Sequence, residues 1–182
     1  MSRVVHIAPA LGGLDEGAAL RSILEGTAKE TGERFFAALV ENLAKALKTH
    51  GAWVTEYFEE SRKLRALAFW MDDRWIENFE FDIAGTPCEQ VIKTADLVHF
   101  PDKLIELYPN SPAIKAARAV SYLGIALKDV DNRILGHLAV IDRRPIPGEF
   151  GVLALFNIFA ARATAEVQRL RAEKQVGERE EK

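Results

Sequence analysis

The chain has 182 residues, of which 48% are hydrophobic and 28% charged, and this is enough apolar material for the core of one soluble domain. The formal net charge of −3 excludes a broad electrostatic attraction to nucleic acid or to a membrane surface, so we expect no direct contact with either. A single cysteine excludes an intrachain disulfide and a thiolate-rich metal site, and no signal peptide or bilayer-spanning stretch is predicted, which favours the cytoplasm.

The N-terminal part of the chain predicts a leader followed by two helices. Residues 1–14 form the leader, because proline and a Gly-Gly pair interrupt any periodic pattern. A short helix is expected from about Asp15 to Gly26, and Thr31 is the expected cap of a longer helix that ends at Gly51. Helical spacing assigns the apolar face of this longer helix to Phe36, Leu39, Val40, Leu43 and Leu47.

The next segment predicts three strands. Ala52–Phe58 and Leu64–Met71 are rich in aromatic, β-branched and apolar residues. A polar break at 59–62 separates them, as expected for an antiparallel hairpin. Residues 79–83 alternate apolar with acidic side chains, which indicates a third strand with one solvated face.

The stretch AGTPCEQV, residues 84–91, contains the single cysteine and has the spacing of a helix start. Thr86 is a favoured N-cap, Pro87 suits the first helical position, and Glu89 would complete a capping box with Thr86. Cys88 would then lie in the first turn, where the helix dipole tends to lower the pKa of a thiol. Two interpretations are open: a redox-sensing or adduct-forming thiol, and a small apolar side chain buried beneath the cap.

The second half of the chain predicts more strands separated by helical turns. A short extended piece at Leu97–Phe100 precedes a proline-rich loop region, in which 114–119 adds a helical turn or two. Ser121–Lys128 and Ile134–Asp142 form the clearest predicted hairpin in the chain. The order of elements predicts an α+β domain built around one antiparallel sheet.

A long final helix is expected from about Glu149 to at least Glu173. Its apolar residues recur at alternating steps of three and four, which is compatible with a coiled-coil seam and a homodimer. The alternative is that this face packs on the sheet and on the helix that begins near Thr31, and both can hold if the first half of the helix packs internally and the second half projects. Residues 171–182 are nearly all charged and predict a helical linker toward an output domain in cis. The seam consists of Leu153, Phe156, Ala160, Ala163, Val167 and Leu170.

Three stretches of the sequence are more specific than the periodicities described above. They are LRSILEGTAKETGERFFAALVENLAKAL (20–47), GTPCEQV (85–91) and SYLGIALKDVDNRILGHLAVIDRRPI (121–146), the last followed by IFAARATAEVQRLRAE (158–173). Together they resemble the GAF domain, a sensory module found at the N-terminus of bacterial signalling proteins such as histidine kinases, enhancer-binding transcription activators and diguanylate cyclases. Asn132 stands where a glycine is common in this family, a departure that the turn can absorb. The resemblance assigns residues 15–170 to a sensor domain.

The resemblance implies a central antiparallel sheet with a helical bundle on one face and short helices and loops on the other. Small ligands of the family lie under those short helices, here Cys88–Lys93 and Leu97–Ala117. The free N–H groups at the helix start near Cys88 would suit a small anionic ligand. The candidate ligand-binding residues are Phe69, Phe81, Thr86, Cys88, Val91, Phe100, Tyr108, Tyr122 and Ile125.

Neither a metal nor a cofactor is assigned from the sequence. Of the four histidines, only His99 is expected near the cavity, and its spacing matches no recognised metal site. Cys88 is followed by Glu89, whereas bilin-carrying members have a Cys-His setting. One cysteine is also too few for a relative of the methionine sulfoxide reductases.

The resulting hypothesis is a non-catalytic sensory domain that binds a small molecule or mediates dimerisation. Its final helix would pass the signal to a histidine kinase, a transcription regulator or a similar output domain. Two alternatives remain: a ligand-free structural dimerisation module, and a thiol-based redox sensor centred on Cys88.

Overall fold

The periodicities of the sequence give five helices and seven strands over residues 31–181, the part of the chain that the computed structural model describes. The helices are α1 (Glu33–Leu47), α2 (Pro87–Thr94), α3 (Leu104–Leu107), α4 (Pro112–Ala117) and α5 (Phe150–Glu180). The strands are β1 (Gly51–Phe58), β2 (Lys63–Met71), β3 (Arg74–Trp75), β4 (Glu80–Asp82), β5 (Leu97–Phe100), β6 (Ser121–Lys128) and β7 (Ile134–Asp142). The predicted leader and the predicted helix from Asp15 to Gly26 lie outside the described residues.

All seven strands join one antiparallel sheet. The order across the sheet is β3-β2-β1-β7-β6-β5, and β4 also pairs with β2. Both predicted hairpins are confirmed, and the β6–β7 hairpin has the predicted bounds. The predicted α+β class with a central antiparallel sheet is therefore confirmed.

The two faces of the sheet are covered by different layers. Successive side chains of a strand point to opposite faces. In β6, Leu123 and Leu127 belong to the core under α1 and α5, whereas Tyr122 and Ala126 belong to a second core on the other face. We call these the helix-side core and the cavity-side core.

The start of α1 is held by α5 rather than by its own side-chain cap. Gly32 is the N-cap residue, at a φ of 63° that glycine adopts without steric cost, and no side chain caps the helix. The Gly32 N–H donates instead to Glu166 Oε1 at 2.8 Å. The prediction that Thr31 caps this helix is wrong. The helix also ends before Gly51, because Lys48 is its left-handed C-cap residue.

The predicted coiled-coil seam is part of the helix-side core. Phe156, Ala160, Ala163 and Val167 are buried there, and Leu153 and Leu170 pack against its edge. The four buried side chains belong to the core that α5 forms with the sheet and α1, so they are not available to a second chain. For the four buried residues the structure shows the packing alternative, because a helix with one broad apolar stripe covers its own sheet first. The coiled-coil seam and the homodimer stay predictions.

The helix α5 is the one candidate for a membrane span among the described residues. Over 18 residues its mean hydropathy reaches 1.4, but half of that window is buried within the domain. A helix packed on its own sheet has this pattern. Beyond Leu170 the helix continues to Glu180, and residues 172–181 are exposed.

Candidate ligand-binding cavity

The stretch AGTPCEQV begins a helix, as its spacing predicts, but by different contacts. Thr86 is the N-cap residue of α2 and Pro87 occupies its first turn. The Thr86 hydroxyl donates to the carbonyl oxygen of Ile83 at 2.6 Å and accepts no helix N–H, so the predicted capping box is wrong. Glu89 is drawn outward, because it pairs with the cations Arg62 and Lys93, each at 3.4 Å.

A cavity of about 630 Å³ lies between the sheet and the three short helices α2, α3 and α4. Its size is that of ordinary small-molecule sites, which range from roughly 300 to 1,000 Å³. Its inner wall is the cavity-facing side of β1, β2, β6 and β7, and its roof comes from the segments 82–88 and 104–119.

Aromatic rings form one continuous wall of this cavity. The ring centroids of Trp53 and Phe69 are 5.2 Å apart, those of Phe69 and Phe79 are 5.1 Å apart, and those of Phe79 and Phe81 are 5.2 Å apart. The first contact is edge-to-face and the other two are tilted, so each ring is held in place by its neighbours. The wall is therefore an ordered apolar surface that suits a ring-shaped ligand.

Cys88 is buried at the cavity wall with two polar partners. Its sulfur lies 3.1 Å from Nε2 of His137 and 3.5 Å from the hydroxyl of Tyr122. Burial raises the pKa of the thiol to about 12 and lowers the pKa of the imidazole to about 3. Both groups are therefore neutral at physiological pH, and the pair is a hydrogen bond rather than a thiolate–imidazolium ion pair.

The neutral imidazole also contacts the central strand β1. Nδ1 of His137 lies 2.5 Å from Oγ1 of Thr55, which also accepts the backbone N–H of His137 at 3.2 Å. A neutral imidazole has one N–H donor and one acceptor nitrogen. The Thr55 hydroxyl donates its proton to the carbonyl oxygen of His137 at 3.4 Å, so we assign the ring proton to Nδ1, which donates to Thr55. Nε2 then accepts the S–H of Cys88, and Tyr122 donates to the sulfur. In this tautomer every proton of the chain has an acceptor.

Six of the nine candidate ligand-binding residues lie on the cavity lining, and three do not. Those on the lining are Phe69, Phe81, Thr86, Cys88, Tyr108 and Tyr122. Val91 is fully buried under α2, in the cavity-side core. Phe100 lines a separate depression, where its ring packs edge-on against Tyr108 at 5.7 Å.

Ile125 lies on the wrong face of the sheet. It packs against the helix-side core, whereas Tyr122 packs in the cavity-side core. The two residues are three apart on one strand, and the side-chain period of a strand is two, so they cannot share a face. This alternation was readable from the sequence.

His137 is the functional candidate that sequence reasoning missed. It is fully buried next to Cys88, although 49 residues separate the two in the chain. Strand pairing places His137 directly opposite Thr55 on β1, and no local motif signals that. His99, the histidine expected near the cavity, does not line it; its Nε2 contacts the carbonyl oxygen of Ile146 at 2.7 Å.

Trp53 and Phe79 also belong to the cavity lining, although they were not among the candidates. Trp53 is buried, and its indole N–H has no hydrogen-bond partner among the described residues. Within residues 31–181, no group of three or more histidine, cysteine or acidic side chains is placed to hold a metal ion.

Comparison with known proteins agrees with this architecture. The model of the GAF domain family matches residues 31–167. The fold is similar to that of the GAF domain of a phosphoenolpyruvate-protein phosphotransferase from Coxiella burnetii, with a TM-score of 0.72 and 15% identity over 88% of this chain and 96% of that chain. No curated protein sequence matches the chain.

Two further structures show the same fold. Free methionine-R-sulfoxide reductase from Neisseria meningitidis, solved with its substrate, has a TM-score of 0.69 and 14% identity over 87% of this chain and 91% of that chain. The chromophore-binding domain of the bacteriophytochrome RpBphP3 from R. palustris has a TM-score of 0.67 and 12% identity over 87% of this chain and 62% of that chain. At these identities the likeness establishes the fold alone. The family match, which spans most of the chain, shows that this protein belongs to the GAF domain family.

Proposed function

We propose that this chain is a non-catalytic regulatory domain of the cytoplasm that binds a small, largely apolar molecule in the cavity. GAF domains are a sensory and regulatory fold of signalling proteins, which fits this role. The observation that carries the proposal is the cavity of about 630 Å³ with its wall of packed aromatic rings. A purely structural module would gain stability by filling such a space with side chains.

The same strands contribute side chains both to the cavity and to the core that packs against α5. On β6, Tyr122 faces the cavity and its neighbour Leu123 packs in the helix-side core. On β7, Ile141 lines the cavity and its neighbour Val140 packs in the helix-side core. A ligand that shifts the cavity-facing side chains therefore acts on strands that also carry α5. We propose that α5, which extends beyond the core to Glu180, transmits this change to an output domain in cis.

The redox alternative has less support. Cys88 is buried and its pKa of about 12 leaves almost no thiolate, which is the reactive form of cysteine. No second cysteine is available to resolve an oxidised thiol. The hydrogen bond from the thiol to His137 supports a structural role for Cys88 in the cavity wall.

The homodimer expected from the sequence stays a prediction. The residues that were expected to form the dimer seam pack in the domain's own core. A dimer would have to use other side chains of α5, and light scattering of the purified chain would measure its mass directly.

The proposal is tested with the neutral fluorescent probe N-phenyl-1-naphthylamine and a cavity-filling variant. Ala117, which is half-buried on α4, lines the cavity, so Ala117→Phe is expected to weaken probe binding about tenfold or more by occupying its space. In a fluorescence titration the unmodified chain is expected to bind the probe. Hydrogen exchange of residues 150–180 is expected to change when the probe binds.

The matched control is Ala116→Phe on the same helix, one residue away. Ala116 is exposed and absent from the cavity lining, so this variant is expected to bind the probe as the unmodified chain does. Equal probe binding by the two variants would count against the cavity as the binding site. Probe binding with unchanged exchange in α5 would contradict the proposed transmission.

A further inference from the structure

Two hydroxyl groups on the cavity lining have already donated their protons to the protein. The hydroxyl of Thr86 donates to the carbonyl oxygen of Ile83 at 2.6 Å, and the hydroxyl of Tyr122 donates to Cys88 Sγ at 3.5 Å. Each hydroxyl has one proton and two lone pairs. Both oxygens therefore remain available only as hydrogen-bond acceptors.

The Tyr122 hydroxyl donates to Cys88 Sγ because the thiol uses its own proton on His137. Cys88 Sγ lies 3.1 Å from His137 Nε2, and we assign its S–H to this nitrogen. Thr55 Oγ1 donates its own proton to the carbonyl oxygen of His137 at 3.4 Å, so it accepts the proton of the other ring nitrogen, Nδ1. The sulfur has then used its only proton and can do no more than accept. Turning the Tyr122 proton toward a ligand would leave the buried sulfur without its donor, at the cost of a buried hydrogen bond.

The position of the Tyr122 ring is fixed by a glycine. A Cβ atom on Gly124 would lie 2.5 Å from the Tyr122 oxygen and 2.8 Å from two ring carbons. The ring therefore lies flat along β6 over Gly124, and its hydroxyl reaches α2 at Cys88. Cys88 and Tyr122 are both among the residues that line the cavity, and 1% of Tyr122 is exposed.

The charge of the lining has one sign. Asp82 is its only charged residue among the described residues, and no lysine, arginine or histidine lines it. An anionic ligand would lose its hydration and gain no cation in return. The lining also has hydrogen-bond donors that suit a neutral acceptor on the same ligand: the hydroxyls of Ser111 and Tyr108, and the indole N–H of Trp53, which has no partner among the described residues.

We infer that the cavity selects a neutral or cationic ring-shaped molecule that carries an N–H or O–H donor, that this donor binds the Tyr122 oxygen, and that carboxylates and phosphates are rejected. The inference rests on the proposed function, since it requires that the cavity bind a ligand. It adds the chemical class of that ligand and names Tyr122 as the residue that determines specificity.

The test uses pairs of ring compounds that differ in one property. Indole has an N–H donor, whereas 1-benzofuran has the same shape with an oxygen acceptor in that place. By isothermal titration of the full chain, indole is expected to bind about tenfold more tightly, the worth of one buried hydrogen bond. Tryptamine is expected to retain binding, and indole-3-acetate is expected to bind at least tenfold more weakly than indole.

The variant Tyr122→Phe removes the acceptor. It is expected to lower indole affinity to that of 1-benzofuran and to leave 1-benzofuran binding unchanged. Unchanged 1-benzofuran binding also shows that the variant is folded, so loss of the hydrogen bond is separated from loss of structure. Tyr57→Phe is the matched control, because Tyr57 packs against the cavity-side core without lining the cavity.

The outcomes separate the two proposals. Equal affinity for indole and 1-benzofuran, or tight binding of indole-3-acetate, overturns the ligand class and leaves the proposed function standing. A preference for indole that survives Tyr122→Phe overturns the role of Tyr122. Absence of binding by every ring compound and by N-phenyl-1-naphthylamine overturns the proposed function itself.

Discussion

The two faces of the sheet are built on different principles. The buried residues of the helix-side core are a continuous set of aliphatic and phenylalanine side chains, mostly from α1, α5 and the three strands β1, β6 and β7. The cavity-side core is smaller, is rich in aromatic rings, and contains a buried chain of Thr55, His137, Cys88 and Tyr122. The first face has the composition of a stabilising core, and the second combines a defined polar chain with open volume. Stability and ligand binding are thus assigned to opposite faces.

The largest expected effect tests this separation directly. Phe156→Ala removes a fully buried ring from the helix-side core and is expected to lower the free energy of unfolding by about 3–5 kcal/mol. Phe79→Ala on the cavity wall is expected to cost about 1 kcal/mol, because this ring is only partly buried. Urea unfolding measures both. The probe titration is expected to reverse the order, with Phe79→Ala weakening binding and Phe156→Ala leaving it unchanged in the folded fraction.

A second effect concerns pH and belongs to the cavity side. Burial holds the pKa of His137 at about 3 in the folded state, against 6.5 for an exposed imidazole. Between these values the unfolded chain binds a proton that the folded chain does not. Neutral His137 therefore makes its full contribution to the free energy of unfolding above pH 6.5. This free energy falls as the pH is lowered toward 3, by about 2 kcal/mol at pH 5.

The control for this effect is the variant His137→Gln. Unfolding free energies at pH 7.5 and pH 5 are compared for the two proteins, so that other titrating groups cancel. The variant is expected to lose about 2 kcal/mol of the pH dependence. An identical pH dependence in both proteins would mean that His137 is protonated in the folded state and that the assigned direction of the hydrogen-bond chain is wrong.

The smallest effect concerns the helix side. Hydrogen bonds from Arg169 and from the Gly32 N–H hold the pKa of Glu166 below its usual range. The Glu166 carboxylate therefore contributes to the free energy of unfolding above its pKa in the unfolded chain. This contribution is lost as the pH falls through its lower pKa in the folded chain. Glu166→Gln is expected to cost about 1 kcal/mol at pH 7, the worth of a charge at a helix N-terminus. Probe binding is expected to stay unchanged, and a variant as stable as the unmodified chain would contradict the capping role.

The fold was largely predictable, because it rests on local periodicity. The bounds of the β6–β7 hairpin, the start of α2 at Thr86 and the course of α5 all follow from alternation, from a Thr-Pro pair and from helical spacing. Part of the cavity could be predicted in the same way, since Tyr122 and Phe69 are aromatic residues on strands. The error at Ile125 was to assign it to the same face of the sheet as Tyr122. Side chains alternate between the two faces with a period of two residues, which excludes this.

The contacts between distant segments were not predictable. The stripe of Phe156, Ala160 and Ala163 is apolar in the sequence whether it meets a second helix or its own sheet, and only the packing of α5 decides between them. The Gly32 N–H at the start of α1 finds its acceptor on Glu166, which is 134 residues away in the chain. Such partners are chosen by geometry, which a single sequence does not display.

Cys88 shows the difference between what the local sequence determines and what tertiary contacts determine. The sequence by itself determined that Cys88 opens a helix, because the spacing of Thr86 and Pro87 is local information. Only the tertiary structure decided what the thiol does, because the packing of α2 against β7 brings its sulfur to within 3.1 Å of His137 Nε2, and burial keeps both groups neutral. Local sequence determines the elements, and the protonation of a buried group depends on everything packed around it.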